Sequence, residues 1–254
     1  MIRVEKATFT YPSSPIPIFN EFNWNIQCGE SWVILGPSGC GKTTLLYILA
    51  GLLKLTGGKV LINEEILQRP RPGSGLILQE YGLLPWATVR QNCELGYKIR
   101  SYYGSDGIHA PQEKKVISNA SIWLERMGLE NFAEKYPSQL SGGQRQRTAI
   151  ARTLSLKPDL LLMDEPFSSL DAPARESLQD LTMSLVTEQR LTLVMVTHSI
   201  EETVFLGQKI LLLSNPPNKS EIIINNPGAG SPHYRNSSSF IDMCRKIRNQ
   251  MGIS

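Results

Sequence analysis

Apolar and polar residues alternate over residues 2–11 and again over 22–26, the two-residue period of half-buried β-strands. Pro12 and Pro15 follow the first, which predicts an edge strand running into a turn. Cys28-Gly29-Glu30 follows the second, and the two strands read as a hairpin. Trp32-Val33-Ile34-Leu35 is a short apolar run of strand type, and 44–50 reads as a buried helix. Residues 56–63 give a turn and a strand, and Gly75-Leu76-Ile77-Leu78 a short strand ending on Gln79. From Glu80 to Tyr136 strand signals fade into helical spacing and loops. Ile122, Trp123 and Met127 share a helix face within 118–127, and 102–107 reads as an exposed loop. A helical subdomain over about 80–155 is thus expected within an α/β core. Residues 158–165 and 191–198 are two more strands of the presumed parallel sheet. After residue 225 a Pro/Gly/Ser-rich stretch leads to Phe240, Cys244, Ile247 and Met251 at helical spacing, beside Arg245, Lys246 and Arg248. This predicts a terminal helix packed on its own domain, because a membrane-surface helix needs more basic and apolar area.

Between the apolar run at 32–35 and the helix at 44–50 stands Gly36-Pro37-Ser38-Gly39-Cys40-Gly41-Lys42-Thr43, which fits G-x-x-x-x-G-K-[ST] at every fixed position. A triphosphate concentrates negative charge, so its cradle needs several backbone N–H donors converging on one concavity at a helix N-terminus. Lys42 is placed to reach the β- and γ-phosphates, Thr43 offers a hydroxyl to Mg²⁺, and Thr44 opens the helix proper. A second anion site is predicted where Ser141-Gly142-Gly143-Gln144 leads into the helix at 148–154. Asp164 and Glu165 end one strand: the first can hold Mg²⁺ through water, and the second can orient or deprotonate a water. His198 ends another strand of the same sheet, where a γ-phosphate contact is expected. Gln79 can reach a metal or water beyond its strand, or cap a turn. Tyr11 can stack on an adenine ring or serve as half-buried packing. Tyr81-Gly82-Leu83-Leu84-Pro85-Trp86 suits either packing or a docking groove for a partner helix.

A chain of 254 residues can bury a sizeable core, and no linker divides it. Hydrophobic content of 41% and charged content of 19% exclude a disordered chain, and a net charge of +3 does not call for nucleic acid. No apolar run reaches bilayer length, and the charged N-terminus lacks the apolar segment of a signal peptide, so a cytosolic chain is expected. Cys28, Cys40, Cys93 and Cys244 show no metal-ligand spacing and read as free thiols. Cys40, at a helix N-terminus within the loop, is expected to be exposed and vulnerable.

These motifs together resemble the ATP-binding subunit of an ABC transporter over most of the chain. The resemblance implies a P-loop NTPase of the ABC ATPase type across 1–254, with a mostly parallel sheet core, an antiparallel β subdomain, the inserted helical subdomain and a C-terminal tail from 225. Residues 36–43 correspond to Walker A, Gln79 to the Q-loop, 140–144 to the LSGGQ signature and 160–164 to Walker B. Glu165 matches the catalytic carboxylate, Ser168-Ser169-Leu170-Asp171 the D-loop, His198 the switch histidine, and Tyr11 the adenine-stacking aromatic. ATP and Mg²⁺ are the implied cofactors, with Asp171 and Ser141 to Gln144 facing nucleotide across a head-to-tail homodimer. Ser199 stands where the family usually has aspartate, Ser169 where alanine is common, and Leu78 where phenylalanine is frequent. Leu83-Leu84-Pro85-Trp86 with Thr88-Val89, together with 170–175, is similar to the nitrate, sulfonate and taurine import group. That likeness implies a separate permease, an extracytoplasmic solute-binding protein and a peripheral place at the cytoplasmic face of the membrane. An importer for a metal or vitamin, and a non-transport ABC ATPase, remain alternatives.

Overall fold

The computed structural model describes residues 1–104, 119–231 and 233–252; the end of the loop expected at 102–107, the first residue of the 118–127 segment and the last two residues of the tail lie outside them. The elements are β1 (Ile2–Phe9), β2 (Phe19–Ile26), β3 (Ser31–Leu35), α1 (Lys42–Leu49), β4 (Gly57–Ile62), β5 (Glu65–Ile66), β6 (Ser74–Ile77), α2 (Val89–Tyr103), α3 (Ala120–Arg126), α4 (Gly142–Leu154), β7 (Leu160–Asp164), α5 (Ala172–Gln189), β8 (Thr192–Val196), α6 (Ile200–Leu206), β9 (Lys209–Leu212), β10 (Ile222–Asn225) and α7 (Ser238–Gln250). They fall into two compact units, one of residues 1–70, 162–165 and 180–254, the other of 71–161 and 166–179.

The first unit holds two sheets. β2, β1, β4 and β5 form an antiparallel sheet in that order. β1 is therefore interior: Val4 faces Trp24 on one side and Val60 on the other, which corrects the expected edge strand. Both prolines lie beyond Phe9, so every N–H within the strand remains free to join a ladder. The other sheet runs β10, β9, β3, β8, β7, with β3 parallel to both β8 and β9. Its central strands are buried along their whole length, as parallel strands covered on both faces must be. α1 packs on β8, and α6 on β3.

Asn218, in the loop after β9 and 2% exposed, ties this sheet to the phosphate loop. Its Nδ2 donates to Cys40 O (2.9 Å) and Ile18 O (3.2 Å), while its Oδ1 accepts from Ser214 N (3.0 Å).

In the second unit α4 packs against both α2 and α3. Both α2 and α4 begin with reciprocal capping boxes, Thr88 with Gln91 and Ser141 with Gln144. Asn92, fully buried on α2, receives Leu84 N on Oδ1 (2.8 Å) and donates Nδ2 to Ala87 O and Thr88 O (3.0 Å each), folding the segment around Pro85 onto the helix. Arg152 of α4 donates to Tyr81 O (3.0 Å) and Gly82 O (2.6 Å). Trp86, 74% exposed, projects from the segment so held.

Asn218→Ala removes the side-chain donor to Cys40 O and the acceptor of Ser214 N, while Ile18 O keeps the backbone N–H of residue 218, and it should lower the free energy of unfolding by about 2 kcal/mol in urea titration. A loss below about 0.5 kcal/mol would mean that water replaces the amide at no cost.

Candidate active site

The phosphate loop leaves β3 at Leu35 and enters α1 at Lys42. Gly41 caps the helix at φ +105°, and a Cβ there would stand 2.3 Å from Ile18 Cγ2, so this position takes glycine alone. Pro37, Ser38 and Gly39 are exposed at the rim, whereas Gly36 is buried. Lys42 is 8% exposed and its Nζ donates to Gly36 O (2.8 Å) and Pro37 O (3.0 Å), which holds the ammonium over the loop. Cys40, in contrast to the expected exposed thiol, is fully buried: its side chain turns under the loop, within 2.8 Å of where a Gly36 Cβ would sit. Burial pushes this thiol above its ordinary range, against the pull of Lys42.

Thr43 Oγ1 donates to Asp164 Oδ1 (3.1 Å), joining the start of α1 to the end of β7. Tyr47, one turn further along α1, also hydrogen-bonds Asp164. This second partner is legible only as the i,i+4 neighbour of Thr43. Burial raises the Asp164 carboxyl above its ordinary range, the Thr43 bond opposes this, and the neighbouring Glu165 adds to it. Thr44 Oγ1 meets the Tyr11 hydroxyl at 3.0 Å. The Tyr11 ring stands edge-on to Phe9 with centroids 4.9 Å apart, and it stays 37% exposed. Packing and a free aromatic surface thus coexist in Tyr11.

Glu165 follows β7 at φ +43°, a left-handed conformation unusual for glutamate, and its N–H donates to Val196 O of β8 (2.9 Å). His198, just past β8, places Nδ1 3.2 Å from Glu165 Oε2. The glutamate side chain is 20% exposed and the histidine 65%, so the pair sits at the surface end of the sheet. Ser199 caps α6, its Oγ accepting from Glu202 N (3.2 Å), and so fills the capping function open to an aspartate.

The remaining sequence-predicted residues belong to the second unit. Gln79 lies two residues beyond β6. Ser141 N-caps α4 with its side chain, and Gly142, Gly143 and Gln144 form the first turn. A cavity of about 270 Å³ opens beside them, lined by Gly128, Ser141, Gly143, Gln144, Arg147 and Leu178 among others. Asp171 accepts Ala174 N on Oδ1 (3.1 Å), capping the start of α5. Ser169, where the family commonly has alanine, shares a hydrogen bond with the Tyr81 hydroxyl.

The first unit therefore gathers glycine-loop amides, an ammonium, a hydroxyl–carboxylate pair and a carboxylate–imidazole pair. This donor set suits a polyphosphate with a hard divalent cation: Thr43 and Asp164 offer oxygen donors, and Glu165 and His198 can handle a proton.

Thiol chemistry tests the burial of Cys40. Burial raises Cys93 to about 12 and Cys244 to about 11, and only Cys28 of the four is exposed. A maleimide at about pH 7.5 should label Cys28 alone in the native chain, and all of them after denaturation, by intact mass. Rapid native labelling of Cys40 would contradict the inward-turned thiol.

Comparison with known proteins identifies the family. The family described as ABC transporter matches residues 19–168. The aliphatic sulfonates import ATP-binding protein SsuB of Bacillus cereus is 34% identical over 242 residues, 95% of this chain and 91% of that protein. The nitrate import ATP-binding protein NrtD of Synechocystis is 39% identical over 208 residues, 81% of this chain and 75% of that protein. The dimeric post-hydrolysis structure of the ATP-binding cassette MJ0796, bound to ADP and Pi, superposes with a TM-score of 0.73 at 30% identity, covering 89% of this chain and 98% of that one. A P-loop α/β fold, a phosphate loop beside paired carboxylates, and relatives that span nearly the whole sequence lead to one assignment: the chain belongs to the ABC transporter family, as an ATP-binding, ATP-hydrolysing cassette.

Proposed function

We propose that this chain is the energy-coupling subunit of an importer for a small anion of the nitrate, sulfonate or taurine kind, working as a head-to-tail homodimer at the cytoplasmic face of the membrane. The observation that carries the chemical part is the convergence of Thr43–Asp164 and Glu165–His198 beside one phosphate loop. The names of SsuB and NrtD support the solute class.

In this reading the backbone N–H groups of Gly36 to Thr43, Pro37 excepted, receive the β- and γ-phosphates, Lys42 supplies the neutralising charge, and Tyr11 offers its exposed ring to adenine. Thr43 and Asp164, with Gln79 as a further ligand, would hold Mg²⁺, which would supply neutralising charge to the phosphates. Glu165 orients and deprotonates the attacking water, while His198 holds the carboxylate and contacts the γ-phosphate. Thr44 anchors the ring of Tyr11 through its hydroxyl. Across the dimer, Ser141, Gly142, Gly143 and Gln144 face the γ-phosphate held by the partner subunit, and Asp171 lies in the loop at the interface. ATP then favours the closed dimer, and hydrolysis removes that preference.

Coupling to the permease is assigned to Tyr81 through Trp86. This segment is held to α2 by Asn92 and to α4 by Arg152, and it leaves the Trp86 indole facing solvent. A rigidly supported exposed aromatic suits an interface anchor. The solute itself is chosen by the permease and its solute-binding protein.

Glu165→Gln should keep ATP binding and lower turnover by about a hundredfold or more, with an ATP-dependent dimer by size exclusion. A variant that stays monomeric in ATP counts against the shared site. Lys42→Ala should instead weaken nucleotide binding itself, by equilibrium titration. For transport, tagged protein purified from mild-detergent membranes should bring a polytopic permease with it; exclusively soluble partners would overturn the importer assignment while leaving the ATPase intact.

A further inference from the structure

We propose that the C-terminal helix α7 positions His198, acting through α6 on the two residues that flank the imidazole. The inference rests on the assignment of His198 and Glu165 to γ-phosphate chemistry, and it gives the tail a part in that chemistry.

His198 sits between Thr197 and Ser199, and both are tied into the first turn of α6. Thr197 Oγ1 donates to the buried Glu202 carboxylate (2.6 Å) and accepts from Ser199 N (3.1 Å). Ser199 Oγ accepts from Glu202 N (3.2 Å) and donates to Glu201 Oε2 (3.3 Å). Ser199 O in turn accepts from Thr203 Oγ1 (2.8 Å). The backbone on either side of the imidazole thus follows the orientation of α6.

α6 spans only seven residues, too few to be stable alone, so its direction is set by what it packs on. Besides β3, and the chain after β10 that donates Asn226 Nδ2 to Val204 O (2.7 Å) and Gly230 N to Phe205 O (2.8 Å), that includes α7. Cys244 and Ile247 of α7 lie in one apolar cluster with Ile200 and Val204 of α6, and Ile247 is fully buried. At the solvent edge Arg248 Nη2 donates to Glu201 Oε1 (2.8 Å), so one carboxylate links α7 and the hydroxyl of Ser199. Arg248 and Glu201 are 50% and 58% exposed, which leaves their ion pair screened and weak. The apolar contact is the stronger part of the brace, and the ion pair adds a minor part.

The full-length chain would be compared with its Ile247→Ala, Arg248→Met and His198→Ala variants. Each is assayed for kcat and KM with MgATP, for the His198 ring resonance by ¹H–¹³C NMR, and for thermal unfolding. Ile247→Ala should lower kcat by about tenfold, with KM held within about twofold, because small displacements of a reacting group cost rate more than binding. Its His198 resonance should move or broaden well below the unfolding temperature. Arg248→Met should lower kcat by less than about threefold, and Arg248→Lys should restore it. If Ile247→Ala fails to fold, the His198 resonance is read in Ile247→Val, where it should also move. An unmoved resonance with unaltered kcat, while His198→Ala abolishes turnover, overturns the role of α7 and spares the site. Full turnover in His198→Ala overturns the site assignment and this proposal together.

Discussion

The parallel ladder of β3 with its neighbours is the constraint on which the candidate active site depends. Ser31 to Ile34 pairs with Leu193 to Val196, and Trp32 to Leu35 with Lys209 to Leu212. Parallel strands in register end at one edge, and the loops that leave their carboxyl ends share that edge. The phosphate loop after β3, Glu165 after β7 and His198 after β8 are close for that reason, although they are far apart in sequence. On the other side of β8, the bond from Glu165 N to Val196 O extends the pairing of β7 with β8 one residue past β7. The placement of Glu165 beside His198 is thus an extension of the sheet's hydrogen bonding, and a slip in β8 would carry His198 away from Glu165.

On this frame, buried polar side chains decide the details. Asn218 holds the phosphate loop, Asn92 the segment before α2, and Thr197 with Glu202 the turn after β8. Each has backbone or carboxylate partners well matched to its donors, so its burial fixes one arrangement rather than merely costing desolvation. The hydroxyl pair of Tyr81 and Ser169 extends this logic to a place where alanine would have left the tyrosine without that partner.

Much of this was legible in the sequence because it is local. Continuous apolar runs mark β3, β7 and β8, and the glycine loop, the Ser-Gly-Gly-Gln cap and the strand-end carboxylates are short patterns with fixed spacing. What escaped was non-local. Asn218 reaches Cys40 across 178 positions, and nothing near it in the chain announces the contact. Pro12 and Pro15 misled the reading of β1, because a proline just beyond a strand leaves its ladder intact. Cys40 was misread as exposed because the loop around it is: within one turn the rim faces solvent while this thiol packs beneath. The departure at Ser199 from the usual aspartate is visible in the sequence, but the cap that its hydroxyl gives α6 is seen only in the fold.

The exposure of Trp86 has an optical corollary. Of the four tryptophans, Trp24, Trp32 and Trp123 are at most 6% accessible, whereas Trp86 is 74% accessible. An indole in water emits at longer wavelength and yields to dissolved quenchers, and one inside apolar packing does neither. The protein therefore carries its own dye at the segment proposed to meet a permease, against a background of three shielded rings. Its emission distinguishes a covered segment from an open one without any label being attached.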